Sequence, residues 1–289
     1  MHTLENDYIR VSVRDLGAEL TSVFDKENNI EHLWQADPAV WPWHAPTLFP
    51  VVGACLKDQI LIGDRSYPMK RHGFARHMNF ALEERHSDLL HFVLKSSYET
   101  LSSYPYLFEF HIFYEIKQNY LIQTFEIDNL GADTMYFQLG GHPAFAVPFL
   151  SGEAYEDYFI EFEKDTVLDR QNINADGFFD GTSSPVIHGS NLLPLKKDMF
   201  QNDAIILKEL QSRKVTIKSA KNPHKLSVEF PSFNYLGLWS KVGAPFVCVE
   251  PWLGCADTAG KPVALKDKED VLSLAADDKF QASIIITLS

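Results

Sequence analysis

A two-residue alternation of apolar and polar side chains most constrains the fold of this chain. From Phe108 to Ile116, large apolar residues occupy every second position, and Glu109 and His111 are among the residues between them. Residues 121–127 repeat the pattern and are expected to form the antiparallel partner strand of a hairpin. A period of two is that of a strand with one buried face. We therefore assign His111 a structural position on a strand face.

Similar short segments recur along the whole chain, with turn residues between them. No segment shows a sustained helical period, so the sequence predicts an all-β fold, either a sandwich or a barrel. Residues 33–50 contain four prolines, which prevent a regular central strand or a long helix there. Residues 164–204 and 253–270 are rich in turn residues and are predicted to be loops.

The size of the chain predicts a single domain. It has 289 residues, of which 45% are hydrophobic and 13% aromatic, enough for a sizeable core. We find neither an internal repeat nor a linker rich in Gly and Ser or in Pro and Thr. Residues 1–289 are therefore expected to form one domain, and both a monomer and a homodimer remain open.

Charge and cysteine content exclude several functional classes. The formal net charge of −13 disfavours binding to nucleic acid or to an anionic membrane surface. The three cysteines lack the paired spacing of a disulfide framework or a zinc site. The first residues are polar and acidic, unlike a signal peptide, and no apolar run approaches the length of a membrane span. We expect a cytoplasmic protein.

The first candidate catalytic residue is His142, which directly follows a strand-like run and two glycines. Gly140 and Gly141 lack a Cβ atom, so backbone or ligand can approach closely where the strand ends. Pro143 restricts the backbone of His142 to an extended conformation. An imidazole held in this way is suited to contact a substrate in a fixed geometry. The alternative is a core histidine beside a turn.

The second candidate is Glu250, which ends the apolar strand of residues 246–249. A carboxyl group among apolar neighbours has a raised pKa unless it is paired or hydrogen-bonded. Such a group can act as a general base. The alternative is a structural salt bridge. Because His142 and Glu250 both follow a strand and precede Pro and aromatic residues, we predict that they share one pocket as an acid and a base.

Two loops carry side chains that suit a sugar. Residues 69–77 place arginines and histidines, among them His72 and Arg76, around one glycine, and these can donate hydrogen bonds to hydroxyl or phosphate groups. Residues 33–50 are rich in tryptophan, and an indole can cover the apolar face of a pyranose. A solvated basic loop and a satellite hydrophobic cluster are the respective alternatives.

Five short motifs in a fixed order resemble aldose 1-epimerases, and most closely the LacX-like branch of the galactose mutarotase-like superfamily. The resemblance covers nearly the whole chain. The motifs are Pro46 to Gly53, His72 to Arg76, Gly141 to Phe145, Asn202 to Ala204, and Gly237 to Ser240 with Val249 to Trp252.

The resemblance implies a β-supersandwich of largely antiparallel sheets, without a metal or an organic cofactor. It also implies that Glu250 takes the proton of the anomeric hydroxyl while protonated His142 gives a proton to the ring oxygen. The open chain then rotates about C1–C2 and closes as the other anomer. His72 is expected to bind a ring or hydroxyl oxygen, and Asp203 to bind the sugar.

The remaining candidate substrate-binding residues are Trp239, Lys57 and Arg76. Trp239 belongs to one of the five motifs. Many relatives carry an arginine just after the glycine that matches Gly53, and this chain does not. Lys57 or Arg76 is expected to replace it, although a lysine lacks the planar bidentate donor of an arginine.

Three functions remain open at this point. The first is a mutarotase for a free aldohexose. The second is a hexose-6-phosphate 1-epimerase, for which Lys70, Arg71 and Arg76 would supply cations. The third is a non-catalytic carbohydrate-binding protein, which would tolerate loss of the acid–base pair. A glycosidase would need two carboxylates beside the scissile bond. No carboxylate has sequence surroundings comparable to those of Glu250, and Asp203 and Asp257 are the remaining candidates.

Overall fold

The computed structural model describes residues 1–260 and 262–289. They form twenty-five β-strands, one short α-helix and four 3₁₀ helices. The strands are β1 (His2–Glu5), β2 (Ile9–Arg14), β3 (Glu19–Asp25), β4 (Ile30–Glu31), β5 (Thr47–Leu48), β6 (Gln59–Ile62), β7 (Arg65–Pro68), β8 (Ala81–Arg85), β9 (Leu89–Lys95), β10 (Phe108–Lys117), β11 (Tyr120–Asn129), β12 (Met135–Phe137), β13 (Leu139–Gly141), β14 (Ala144–Ala146), β15 (Tyr158–Phe162), β16 (Val167–Ile173), β17 (Phe179–His188), β18 (Leu192–Pro194), β19 (Ile205–Lys208), β20 (Lys214–Ser219), β21 (Lys225–Glu229), β22 (Tyr235–Trp239), β23 (Phe246–Leu253), β24 (Leu272–Leu274) and β25 (Lys279–Leu288). The helices are α1 (Tyr98–Ser103) and the 3₁₀ helices Leu56–Asp58, Ala75–His77, Tyr155–Asp157 and Leu265–Asp267.

Two large antiparallel sheets make up most of the structure. One has nine strands in the order β18-β15-β20-β21-β25-β11-β10-β9-β8. The other has eight, in the order β17-β16-β19-β22-β23-β13-β5 with β14 also paired to β23. A smaller sheet, β1-β2-β3-β4, and the pairs β6-β7 and β12-β24 complete the described strands. The predicted all-β class is confirmed.

The hairpin predicted from the alternating pattern is present as β10 and β11. Their register runs from Phe108 opposite Asn129 to Lys117 opposite Tyr120. Along β10 the apolar positions are buried, and the positions between them are partly exposed. The period of two therefore separates the core face of this sheet from its outer face, as side chains alternate across a strand.

The main core lies between the two large sheets. Phe110 and Ile284, from the nine-stranded sheet, are buried in the same cluster as Leu139 and Val249, from the eight-stranded sheet. The ring of Phe49, which follows β5, lies with its centroid 4.8 Å from that of Phe110. Burial of this apolar surface is the main force that holds the sheets together.

The prediction of loops over residues 164–204 is wrong in part, because the structure has β16, β17 and β18 there. Strand β17 is the edge of the eight-stranded sheet, and most of its side chains are exposed. An edge strand without a buried face does not need alternating apolar residues, so no period of two indicated a strand here. Asp176-Gly177 does lie in the turn between β16 and β17, whereas Asp180-Gly181 lies within β17.

Residues 33–50 match the prediction, since β4 ends before them and β5 has only two residues. Residues 253–270 contain the end of β23 and the 3₁₀ helix Leu265–Asp267, and the prediction for Lys261 lies outside the described residues. Within the described part of the chain, no helix combines the length and the apolar character needed to cross a membrane.

Candidate active site

His142 and Glu250 touch each other at the bottom of a cleft. Nε2 of His142 lies 3.2 Å from Oε2 of Glu250, and both side chains are almost fully buried. The sequence predicts that the two groups share one pocket, and the structure places them in direct contact there.

Backbone hydrogen bonds fix the position of both groups. The amide of His142 donates to the carbonyl of Pro46 at 3.1 Å, and the amide of Val249 donates to the carbonyl of Pro143 at 3.1 Å. Glu250 lies within β23, directly opposite Gly237 of β22. The segment that bears His142 is therefore joined to the strand that bears Glu250, so relative motion of the pair would break these bonds.

Trp252 forms part of the floor because two glycines make room for its indole. Gly140 lies opposite Trp252 in the register of β13 and β23. A Cβ atom on Gly140 would come within 2.7 Å of the indole, and one on Gly237 within 2.8 Å. Any side chain at these positions would displace the ring, so the glycines on the two neighbouring strands shape the cleft.

His72 is oriented by the backbone of Gly53. The amide of Gly53 donates to Nδ1 of His72 at 3.1 Å, and the amide of His72 donates to the carbonyl of Gly53 at 3.0 Å. Burial, followed by the nearby His142 and Arg76, lowers the pKa of His72 well below its ordinary value. The ring is thus neutral with its hydrogen on Nε2, where it can donate to an oxygen atom.

Tryptophan side chains form the remaining apolar walls. The ring of Trp41 stacks on His142 with centroids 5.1 Å apart, and Trp239 meets the same imidazole edge-on at 6.1 Å. The ring of Trp43 lies within 5.7 Å of the guanidinium carbon of Arg14 and 5.6 Å of that of Arg76. Aromatic faces of this kind suit the C–H face of a sugar.

The mouth of the cleft carries opposite charges. Arg71 Nη1 lies 3.6 Å from Asp203 Oδ2, and Arg71 Nη2 donates to the carbonyl of Asp176 at 3.0 Å. Arg76 is half-buried and donates to the carbonyl of Arg71 at 3.0 Å. The cleft encloses about 200 Å³ between these groups and the acid–base pair.

Burial shifts the pKa values of the pair in opposite directions. Burial, and then the Asp203 carboxylate, raises the pKa of Glu250 well above its ordinary value. Burial, and then Arg76, lowers the pKa of His142 to about 3. Both shifts favour the uncharged form. The proton of the pair is therefore held by Glu250 in preference to His142, and His142 is a neutral base.

Several buried polar atoms here have no hydrogen-bond partner among the described residues. They are Oε2 of Glu250, Nδ1 of His142 and Nε1 of Trp252. Buried polar groups in proteins are nearly always paired, and exceptions mark functional sites. These atoms are therefore available to the hydroxyl groups of a ligand.

One group of side chains at this site has the spacing of metal ligands. Ligand atoms of His142, Cys248 and Glu250 all lie within 4.8 Å of one another. Burial and the neighbouring Glu250 raise the pKa of Cys248 well above its ordinary value. The thiol is therefore protonated at neutral pH, and a metal bound there would have to displace this proton.

Six of the seven predicted site residues line this cleft, and Lys57 does not. His142, Glu250, His72, Arg76, Asp203 and Trp239 surround the same space. Lys57 is exposed in the 3₁₀ helix Leu56–Asp58, away from the lining. Sequence proximity to Gly53 suggested Lys57, but the chain turns outward after Cys55. Arg76, the other candidate for this cation, does line the cleft.

Two lining residues, Arg71 and Trp252, have contacts that the sequence pattern does not predict. Arg71 was considered only as a phosphate ligand, yet it pairs with Asp203. Trp252 appeared only within a motif, and its place between two glycines depends on strand register. The available signal was the coincidence of isolated glycines in β13 and β22 with a large aromatic residue in β23.

This chain belongs to the aldose 1-epimerase family, whose model matches residues 1–266. A curated relative is the plasmid protein LacX of Lactococcus lactis subsp. lactis, which is 35% identical over 294 residues that cover 99% of this chain and 98% of the relative. The predicted resemblance to the LacX-like branch is thus confirmed. Family membership supports a role as a carbohydrate epimerase.

Two solved structures share the fold over the whole chain. A galactose mutarotase related enzyme from Lactobacillus acidophilus has a TM-score of 0.95 and 33% identity, with 100% of this chain and 97% of that chain covered. A galactose mutarotase-like protein from Lactobacillus casei has a TM-score of 0.94 and 31% identity, with both chains covered to 100%. The predicted galactose mutarotase-like β-supersandwich is confirmed.

Proposed function

We propose that this protein is an aldose 1-epimerase that interconverts the α and β anomers of an aldohexose, with His142 and Glu250 as its acid–base pair. The observation that carries the proposal is the 3.2 Å contact between these two buried groups at the bottom of a cleft. We further propose that the whole chain acts as one domain.

The reaction needs one base and one acid. A base removes the proton from the anomeric hydroxyl, the bond between C1 and the ring oxygen breaks, and an acid protonates the ring oxygen as it takes the electron pair. Rotation about C1–C2 and closure with the roles reversed give the other anomer. Acid and base groups each contribute about 10²–10⁴-fold in such reactions.

The pair holds the one proton that this cycle requires. The raised pKa of Glu250 and the lowered pKa of His142 assign this proton to Glu250. The family mechanism instead starts from a Glu250 carboxylate and a protonated His142, which together carry the same number of protons. Transfer of the proton across the contact interconverts the two arrangements, so a sugar that hydrogen-bonds to the pair can select either one.

The other residues of the cleft suit the binding of a sugar. The Nε2 hydrogen of His72 can be donated to a ring or hydroxyl oxygen, and Asp203 can accept from hydroxyl groups. Arg76 supplies a guanidinium close to both histidines. Trp41 and Trp239 can cover the apolar face of the ring.

A hexose 6-phosphate is the second candidate substrate, and Arg71 at the mouth favours it. Its side chain is 45% exposed and could reach a phosphate. However, Arg71 already pairs with Asp203 and with the carbonyl of Asp176. We therefore rank the unphosphorylated aldohexose first.

Polarimetry tests the proposal. Freshly dissolved α-anomers of glucose, galactose and their 6-phosphates are mixed with the protein in buffer that contains a chelator. Faster mutarotation of a free hexose supports the proposal, and a preference for a 6-phosphate supports the second candidate. No acceleration with any of these sugars, together with measurable sugar binding, would support a non-catalytic carbohydrate-binding protein.

A further inference from the structure

The outer face of the nine-stranded sheet carries a second cluster of ionisable side chains. Glu109 of β10 and Asp128 of β11 lie directly opposite each other. Lys95 of β9 and Lys279 of β25 continue the same row on either side. Two carboxylates directly opposite each other repel unless a cation lies between or beside them.

His111 lies beside these carboxylates in β10. Its Nε2 is 3.4 Å from Oε2 of Glu109 and 3.8 Å from Oδ2 of Asp128. The ligand atoms of the three residues all lie within 4.8 Å of one another. Tetrahedral Zn²⁺ with bonds of about 2.0–2.1 Å places its ligand atoms about 3.3 Å apart. Small rotamer changes would therefore suffice to coordinate a cation.

Two of these polar atoms are buried and unpaired. Nε2 of His111 and Oδ1 of Asp128 have no hydrogen-bond partner within residues 1–260 and 262–289. Asp128 is only 8% exposed, although it lies on the outer face. Leaving buried polar atoms without a hydrogen bond is costly, and Lys279 pairs only with the other oxygen of Asp128. A cation coordinated by His111 and Asp128 would give Nε2 of His111 a partner.

A second histidine orients the first. Nε2 of His91 lies 2.9 Å from Nδ1 of His111. The ring of His91 stacks on Phe113, with centroids 4.2 Å apart. When His91 Nε2 accepts this hydrogen bond, the hydrogen of the His111 ring lies on Nδ1. This would leave Nε2 of His111 free to bind a metal, as hydrogen-bonded partners do for metal-bound histidines.

The lysines at this site are movable counter-ions. Lys279 Nζ lies 2.6 Å from Oδ2 of Asp128, and Lys95 Nζ lies 3.1 Å from Oε1 of Glu109. Their side chains are 62% and 59% exposed, so both ammonium groups can turn into solvent. Glu126, opposite His111, adds a further carboxylate nearby.

We propose that Glu109, His111 and Asp128 form a binding site for a divalent cation of the Zn²⁺ class, separate from the cleft. One imidazole and two carboxylates are a ligand set that such cations accept. The bound ion would join β10 to β11 and would take over the role of the Lys279 ammonium. The site would stabilise the sheet and would not take part in sugar chemistry.

Isothermal titration calorimetry with Zn²⁺ on chelator-treated, full-length protein tests the proposal. All proteins carry His142→Asn, so that the histidine of the cleft cannot contribute. His111→Asn is expected to weaken Zn²⁺ binding at least tenfold. His86→Asn is the matched control, because His86 forms an exposed pair with Glu84 at 3.6 Å. Equal affinity of the two variants would overturn the proposal.

Two further variants distinguish a metal site from a structural ladder. His91→Phe keeps an aromatic ring on Phe113 and should weaken binding about 10–100-fold through loss of the partner of His111. Lys279→Met removes the competing ammonium and should tighten binding. If His111→Asn does not fold, Asp128→Asn replaces it in the comparison. Zn²⁺ affinity that none of these changes alters would also overturn the proposal.

Discussion

Nε2 of His142 lies 3.2 Å from Oε2 of Glu250, although the two residues are far apart in the chain. Both are buried, and burial raises the pKa of Glu250 and lowers that of His142, so that both groups favour their uncharged forms. This relationship leads to the first three predictions.

Replacement of either partner should abolish catalysed mutarotation. Glu250→Gln and His142→Asn keep the approximate shape of each side chain but remove its capacity for proton transfer. Each should lower kcat/KM by about 10²–10⁴-fold, measured by polarimetry. Glu84→Gln, at an exposed carboxylate, is the control and should retain the wild-type rate. A Glu250→Gln variant with wild-type activity would refute the mechanism.

The pH dependence of kcat/KM should have an unusually acidic limb. Protonation of neutral His142 removes the base, and its pKa is lowered to about 3. Activity should therefore persist at about pH 5, well below the ordinary histidine range near 6.5. The measurement is the catalysed rate after subtraction of the uncatalysed rate at each pH. An acid limb near pH 6.5 would show that His142 titrates as if it were exposed.

Glu250→Gln should stabilise the protein increasingly as the pH rises. The pKa of Glu250 is raised in the folded state above its ordinary value of 4.5, so folding takes up a proton above that pH. The stability contributed by Glu250 is present below pH 4.5 and falls as the pH rises toward the folded-state pKa.

The free energy of unfolding contributed by Glu250 falls by at most about 1.4 kcal/mol per pH unit. Glutamine does not titrate, so the difference in Tm between variant and wild type should grow as the pH rises above about 5. Thermal unfolding followed by circular dichroism measures it. A constant difference across this range would show that the pKa of Glu250 is not raised.

Arg76→Met and Lys57→Met should differ in their effect on KM. Arg76 lines the cleft and stacks near Trp43, so loss of its guanidinium should raise KM for the sugar. A lost hydrogen bond to a charged donor costs about 1.5–3 kcal/mol, or roughly a 10–100-fold rise. Lys57 is exposed outside the cleft lining, and its variant should keep the wild-type KM. The opposite order would place the family cation at Lys57.

Gly237→Ala should distort the floor of the cleft. Its Cβ atom would lie 2.8 Å from the indole of Trp252, and overpacking of this kind costs about 1–3 kcal/mol. We expect a lower Tm and a higher KM. Trp252→Phe shortens the side chain, so the double variant should recover stability relative to Gly237→Ala alone. Additive losses in this double-mutant cycle would show that the two residues do not compete for space.

The alternating residues of β10 and β11 predicted their hairpin because the period of two directly encodes which face is buried. The same logic failed for β17, whose exposed edge position leaves no apolar pattern to detect. Glycine and proline were similarly informative at His142, which follows the end of β13. At Glu250 the predicted strand end was wrong, because β23 continues through Pro251 to Leu253. Lys57 shows the limit, since adjacency in sequence did not bring its side chain into the cleft.

The sequence by itself determined the all-β class, the strand that bears Glu250 and the constrained segment that bears His142. These follow from side-chain periodicity and backbone restriction, which act between neighbouring residues. Only the tertiary structure decided that the two groups touch, that Trp252 lies between Gly140 and Gly237, and that Arg76 rather than Lys57 enters the cleft. Those outcomes depend on the register and packing of strands distant in the chain, where burial sets distances and proton affinities together.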